Sequence, residues 1–141
     1  MNKLFVIGNW KTNPLSLKKA KGLFDSIKRD FKSVKKTKKV EVILCPPFVY
    51  LATLGISSSA RRKASYGGLV IGSQNCFLEE KGAFTGEISA LMLKNLGCKY
   101  VIIGHSERRK YFQETDAMIN KKLKIALRIG LIPILCIDKI S

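Results

Sequence analysis

The sequence predicts an α/β fold with a parallel sheet assembled from βαβ units, and three observations carry that expectation. Short, continuously apolar runs recur along the chain, as in strands buried on both faces of a parallel sheet. Between them lie segments whose apolar residues recur at helical spacing. The two patterns alternate throughout, with no linker composition and no sequence repeat dividing them. A chain of 141 residues has room for one domain with a real core and is short for two, so residues 1–141 are expected to form a single domain.

Each element has its own signal. LFVIGNW (4–10) is an apolar run that ends in polar residues, the first strand. Residues 16–31 place Leu17, Ala20, Leu23, Phe24, Ile27 and Phe31 on one helical face, with Ser16 as the N-cap. VEVILCPP (40–47) is the second strand, halted by two prolines that cannot continue a ladder. FVYLATLG (48–55) reads as a short helix and residues 57–68 as a polar connection. The third strand lies within GLVIGSQNCF (68–77), and a long loop leads to a helix over about 87–96 that stops at Gly97. KYVIIG (99–104) is the fourth strand and LIPILCI (131–137) the fifth. Between these two, residues 115–129 form a helix with Ala117, Met118, Leu123, Ala126, Leu127 and Ile129 inward.

Composition narrows the function. No apolar run approaches the ~20 residues of a spanning helix. The N-terminus has a basic residue and a brief apolar run but no small-residue cleavage site, so a cytoplasmic location is expected. Cys45, Cys76, Cys98 and Cys136 are far apart, without a CxxC pair or a second histidine, so neither a metal site nor a disulfide framework is expected. All four read as small buried thiols. The net charge of +16 is the one extreme. It fits either an anionic partner or solvated lysine faces on helices. The densest run, residues 28–39, has few aromatics and no arginine-rich base-reading pattern, so no specific nucleic-acid partner is expected.

In parallel α/β folds the chemistry gathers where the carboxyl ends of the strands converge. Those ends here carry Asn9, Trp10 and Lys11, then Cys45-Pro46-Pro47, then Gln74 and Asn75, then His105, Ser106 and Glu107. A lysine ammonium in a cleft is a fixed positive charge for an anionic substrate or a developing oxyanion. An imidazole can give a proton or hydrogen bond to an oxygen near neutral pH. Together Lys11 and His105 suit a carbonyl becoming an enolate. The other reading makes Lys11 a surface lysine and His105 a capping or core residue, and spacing alone leaves both open.

GNWKTN (8–13), SQNCF (73–77), GAFTGEIS (82–89), YVIIGHSERR (100–109) and GLIPILCI (130–137) together resemble the triosephosphate isomerase family, in its order and across nearly the whole chain. The resemblance implies a partial TIM (β/α)8 barrel of about five parallel strands and four helices, incomplete at the C-terminus, because the family barrel has eight units in ~250 residues. It implies interconversion of dihydroxyacetone phosphate and glyceraldehyde 3-phosphate without a cofactor. His105 matches the neutral electrophile and Lys11 the electrostatic group. Asn9 and Lys11 match substrate-holding positions, and Ser106 and Glu107 supporting ones. SERRK can begin a short helix just after His105. Arg108 and Glu114 match a structural ion pair, and Cys136 a fifth-strand thiol. Thr85 matches the tip of a loop that docks into a second subunit, which implies a homodimer.

Two departures qualify the match. The family's glutamate base after strand six, its lid, and its phosphate-binding loops after strands seven and eight have no counterpart in these residues. CIDKIS stands where the family has Cys-Ile-Gly-Glu, so Asp138 and Lys139 replace a glycine and an acid. The 141-residue chain alone is therefore expected to be inactive and poorly folded, with open edges at strands one and five. The alternative is a non-catalytic half-barrel that assembles with a complementary chain.

Overall fold

The computed structural model describes residues 3–34, 40–54, 65–66 and 69–137. Strand β1 (Leu4–Asn9) leads to helix α1 (Leu17–Val34), strand β2 (Val40–Cys45) and the short helix α2 (Phe48–Leu51). Strands β3 (Ser65–Tyr66) and β4 (Leu69–Ser73) precede helix α3 (Ala90–Leu96) and strand β5 (Tyr100–Ile103). Helices α4 (Ser106–Phe112) and α5 (Asp116–Ile129) then lead to strand β6 (Ile132–Leu135).

Five strands are parallel, in the order β1-β2-β4-β5-β6, and curl into half a barrel. The register runs from Leu4↔Val40 to Asn9↔Cys45 at one edge and from Tyr100↔Ile132 to Ile103↔Leu135 at the other. Two features differ from the sequence reading. Among the described residues there are five helices rather than four, because SERRKYF after His105 forms the complete helix α4. Within the stretch read as a polar connection, Ser65 and Tyr66 pair antiparallel with β4. Residues 57–64, 67–68, most of the lysine run's end (35–39), Gly55, Asp138 and Lys139 lie outside the described residues.

Side-chain alternation along the strands divides the core in two. On the helix-facing side Leu44, Leu69, Ile71, Val101 and Ile103 pack with Phe24, Leu51, Leu93 and Ile125. On the concave side Ile43, Cys45, Val70, Tyr100 and Ile102 pack together, with Ile134 and Cys136 against them. This is the layered interior of a parallel barrel. Side-chain caps fix the helix starts: Ser16 Oγ accepts from the Lys19 N–H at 3.3 Å, Ser89 Oγ from Met92 at 3.3 Å and Thr115 Oγ1 from Met118 at 3.3 Å. Helix α3 begins at Ala90, later than about 87, because the Glu87 N–H is spent on the Phe84 carbonyl at 3.0 Å and Ser89 supplies the cap.

Two expected burial patterns are corrected. The apolar run of β1 is half-exposed on both faces, Leu4, Phe5, Val6 and Ile7 alike. Among the described residues β1 pairs only with β2, so its other edge has no strand partner there. On α5 the buried residues are Ile119, Lys122, Ile125 and Ala126, while Ala117 and Leu127 are exposed. Lys122 turns that face because its ammonium is paired inside, as described below.

Candidate functional site

The carboxyl ends of β1, β4 and β5 open on one cleft of about 170 Å³, lined by Asn9, Lys11, Gln74, Asn75, His105 and Glu107 among others. Sequence reasoning placed these residues at strand ends, and the fold brings them together. Ser106 is exposed in the first turn of α4, and Thr85 sits in the wholly exposed segment 81–87, so neither lines the cleft.

His105 owes its place to the break after β5. Gly104 has φ 74, and a Cβ there would stand 3.1 Å from Ile119 Cδ1 and 3.3 Å from the Cys136 carbonyl, so glycine makes the turn. His105 then caps α4, its carbonyl accepting the Arg108 N–H at 2.8 Å. Its Nδ1 accepts the Glu107 backbone N–H at 3.2 Å. A neutral imidazole with Nδ1 as acceptor carries its proton on Nε2, so Nε2–H is its donor.

Lys11 is held from several directions. It is a non-glycine residue with φ 54, in the left-handed region. Asn9 Oδ1 accepts its N–H at 3.0 Å, and Gln74 Nε2 donates to its carbonyl at 2.8 Å. Its ammonium donates to Glu107 Oε1 at 2.6 Å, while Glu107 Oε2 lies 3.5 Å from His105 Nδ1. Glu107 thus touches both partners of the expected pair. The hydrogen bond from Lys11, opposed in part by desolvation, holds its carboxyl below the usual carboxylate range. A carboxylate so held is a poor proton acceptor.

Behind the cleft is a buried ionic cluster. Arg108 Nε donates to Glu114 Oε2 at 2.7 Å, the ion pair implied by the family match. Lys122 joins the same oxygen at 3.2 Å and donates to Asn75 Oδ1 at 2.8 Å. Sequence reasoning missed Lys122, since a lysine in an amphipathic helix reads as solvent-facing. The one available signal was its place between Ile119 and Ile125, on the face those residues bury. Gln74 was seen at a strand end but given no role.

All four cysteines are free. Burial pushes the thiols of Cys45 and Cys98 up to about 12 and that of Cys76 up to about 11, so these three are inert packing groups. Cys136 is only partly buried, against the concave cluster. Among the described residues no group of histidine, cysteine and carboxylate side chains could hold a metal ion. No helix among them is long and apolar enough to cross a membrane.

A family model described as triosephosphate isomerase matches residues 4–141. Triosephosphate isomerase from Alkaliphilus oremlandii is 49% identical over 140 residues, covering 99% of this chain and 52% of that protein. That from Dehalococcoides mccartyi strain BAV1 is 44% identical over 139 residues, covering 99% and 51%. The crystal structure of the enzyme from Bartonella henselae superposes with a TM-score of 0.74 at 33% identity, over 97% of this chain and 52% of that one. The chain therefore spans about half the length of the curated relatives it matches. Over that span, with these motifs on this half-barrel, the chain belongs to the triosephosphate isomerase family.

Proposed function

We propose that this chain supplies the electrophilic side of a site interconverting dihydroxyacetone phosphate and glyceraldehyde 3-phosphate. The observation that carries the reading is the chain of contacts from Lys11 through Glu107 to His105 in one cleft. Isomerisation moves a proton between two adjacent carbons while the oxygens exchange roles as carbonyl and hydroxyl. The enediolate oxygen that develops needs a hydrogen-bond donor and a positive charge aimed at it. His105 Nε2–H is the donor and the Lys11 ammonium the charge. Asn9 holds the Lys11 backbone and borders the substrate, while Glu107 fixes both working groups. Ser106 supports the α4 start, and Thr85 serves a homodimer contact.

A base for the carbon-bound proton is a separate requirement. Glu107 is the carboxylate of this cleft, and its ion pair with Lys11 makes it unsuited to that work. The purified 141-residue polypeptide is therefore expected to show no isomerase turnover. Appreciable turnover abolished by His105→Ala would overturn that expectation. Supplying the remaining βα units of the Alkaliphilus oremlandii relative as a second polypeptide is expected to create activity that His105→Ala or Lys11→Met removes. Activity indifferent to both substitutions would sink the site assignment.

A second reading is a half-barrel whose role is assembly with a complementary chain. It is favoured by the exposed apolar residues of β1 and β6, the two outer strands of the parallel order β1-β2-β4-β5-β6. Co-elution of the two polypeptides without any turnover would support this reading over the first.

A further inference from the structure

Lys11 is a strained residue that carries its charge to one place, and one side chain outside the Lys11–Glu107–His105 chain of contacts accounts for much of how it is held. A left-handed conformation in a residue with a Cβ persists only where its surroundings hold it. Asn9 takes the Lys11 N–H, two residues away in sequence. The Lys11 carbonyl is taken by Gln74, which arrives from the end of β4, 63 residues away. Gln74 Nε2 also donates to the Cys45 carbonyl at 2.8 Å, so both amide hydrogens are committed, one to the loop after β1 and one to the end of β2. Cys45 O meanwhile accepts the Trp10 N–H at 3.1 Å, so the β1–β2 junction has a tie of its own. With both sides of its backbone fixed, Lys11 has only side-chain torsions left, and its ammonium reaches Glu107.

We infer that Gln74 is a positioning residue. It holds the left-handed backbone of Lys11 and thereby aims the ammonium at the substrate oxygen. The last clause rests on the isomerase reading, whereas the holding of Lys11 does not. Both measurements below omit substrate, so their failure is distinct from a failure of that reading.

The first measurement is a carbon-13 titration of the Glu107 carboxyl in the full chain, with trimethylamine N-oxide present to favour the folded state. Gln74→Met keeps the length of the side chain and removes both donors. It is expected to raise the Glu107 midpoint toward the ordinary carboxylate range, part of the way to the value in Lys11→Met. An unchanged midpoint in a folded Gln74→Met protein overturns the proposal. The second measurement is a urea-denaturation cycle, which applies even where Gln74→Met is strongly destabilised. Gln74→Met should lower the folding equilibrium constant about tenfold beside Lys11, as expected for two lost hydrogen bonds offset in part by released strain. In the Lys11→Gly background both bonds are still lost but no left-handed strain is released with them, so the loss should grow to about thirtyfold or more. Equal losses in both backgrounds, unfolding in both included, would make Gln74 a mere strand tie and overturn the proposal.

Discussion

Glu41, the second residue of β2, sits at the end of the half-barrel opposite the cleft and is almost fully buried. Burial pushes its carboxyl up, but hydrogen bonds from Lys3, Tyr100 and Lys99 outweigh that and bring it down to about 2. The Tyr100 hydroxyl donates at 2.6 Å and the Lys99 ammonium at 3.0 Å. Burial and this bond push Tyr100 up to about 12. Because the folded-state value of Glu41 is depressed, its contribution is present in full above the ordinary carboxyl range and fades as pH falls toward 2. Both lysines are partly solvated, which screens the interaction, so it is worth about 1–2 kcal/mol rather than the full linkage value. Glu41→Gln is expected to flatten urea-denaturation stability between about pH 5 and 3, relative to the parent. An unchanged slope would show that the carboxylate has no such depression. Lys122 is the opposite case, a charge sealed inside. Lys122→Met keeps the stem's packing but leaves Glu114 with Arg108 alone, and should cost about 3 kcal/mol by denaturation.

At the scale of elements, β4 shows how closely the concave face is packed. A Cβ on Gly72 would stand 2.8 Å from Cys45 Sγ and 3.1 Å from Tyr100 Cβ, in the middle of the barrel interior. Gly72→Ala is expected to cost about 1–3 kcal/mol in denaturation experiments, and Cys45→Ala in the same chain should recover part of it. Strict additivity of the two would mean the sulfur is not the obstacle. The strands themselves were legible to within a few residues, since a short apolar run bounded by prolines, glycine or charge leaves few other readings. The Ser16 cap was legible too, because capping is local chemistry. What escaped depended on distance. Lys122 faces inward for partners at Asn75 and Glu114, and β3 exists only through pairing with β4. Lys11 and His105 could be set at strand ends, but the Gln74 bridge between three strand ends appears only once the sheet's order is known. The continuous apolar run of β1 reports what the strand is suited to bury, and here its faces are half open.

The whole molecule sets two opposing forces against each other. Leu4, Phe5, Val6 and Ile7 on β1 and Ile132 and Leu135 on β6 are all exposed, and each strand has one unpaired edge among the described residues. Such edges template association with another strand. The net charge of +16 opposes it by repulsion between copies. Repulsion of this kind is screened by salt, over a length of about 10 Å at 0.1 M and about 3 Å at 1 M, whereas apolar contact is not. Self-association of the chain should therefore grow as salt is added, which light scattering after size-exclusion chromatography would measure. Phe5 packs edge-on to Tyr100 on the concave face, its ring centroid 6.5 Å away, so the neighbouring Val6 points to the opposite, outer face. Val6→Lys places a charge on that half-exposed outer face, and its effect on folding should stay within about 1 kcal/mol. It should suppress the salt-driven association, and so should an excess of the complementary βα units, which compete for the same edges. A chain that stays monomeric at high salt would show that its open edges are not adhesive. Association indifferent to Val6→Lys and to the complementary units would place the contact elsewhere on the molecule.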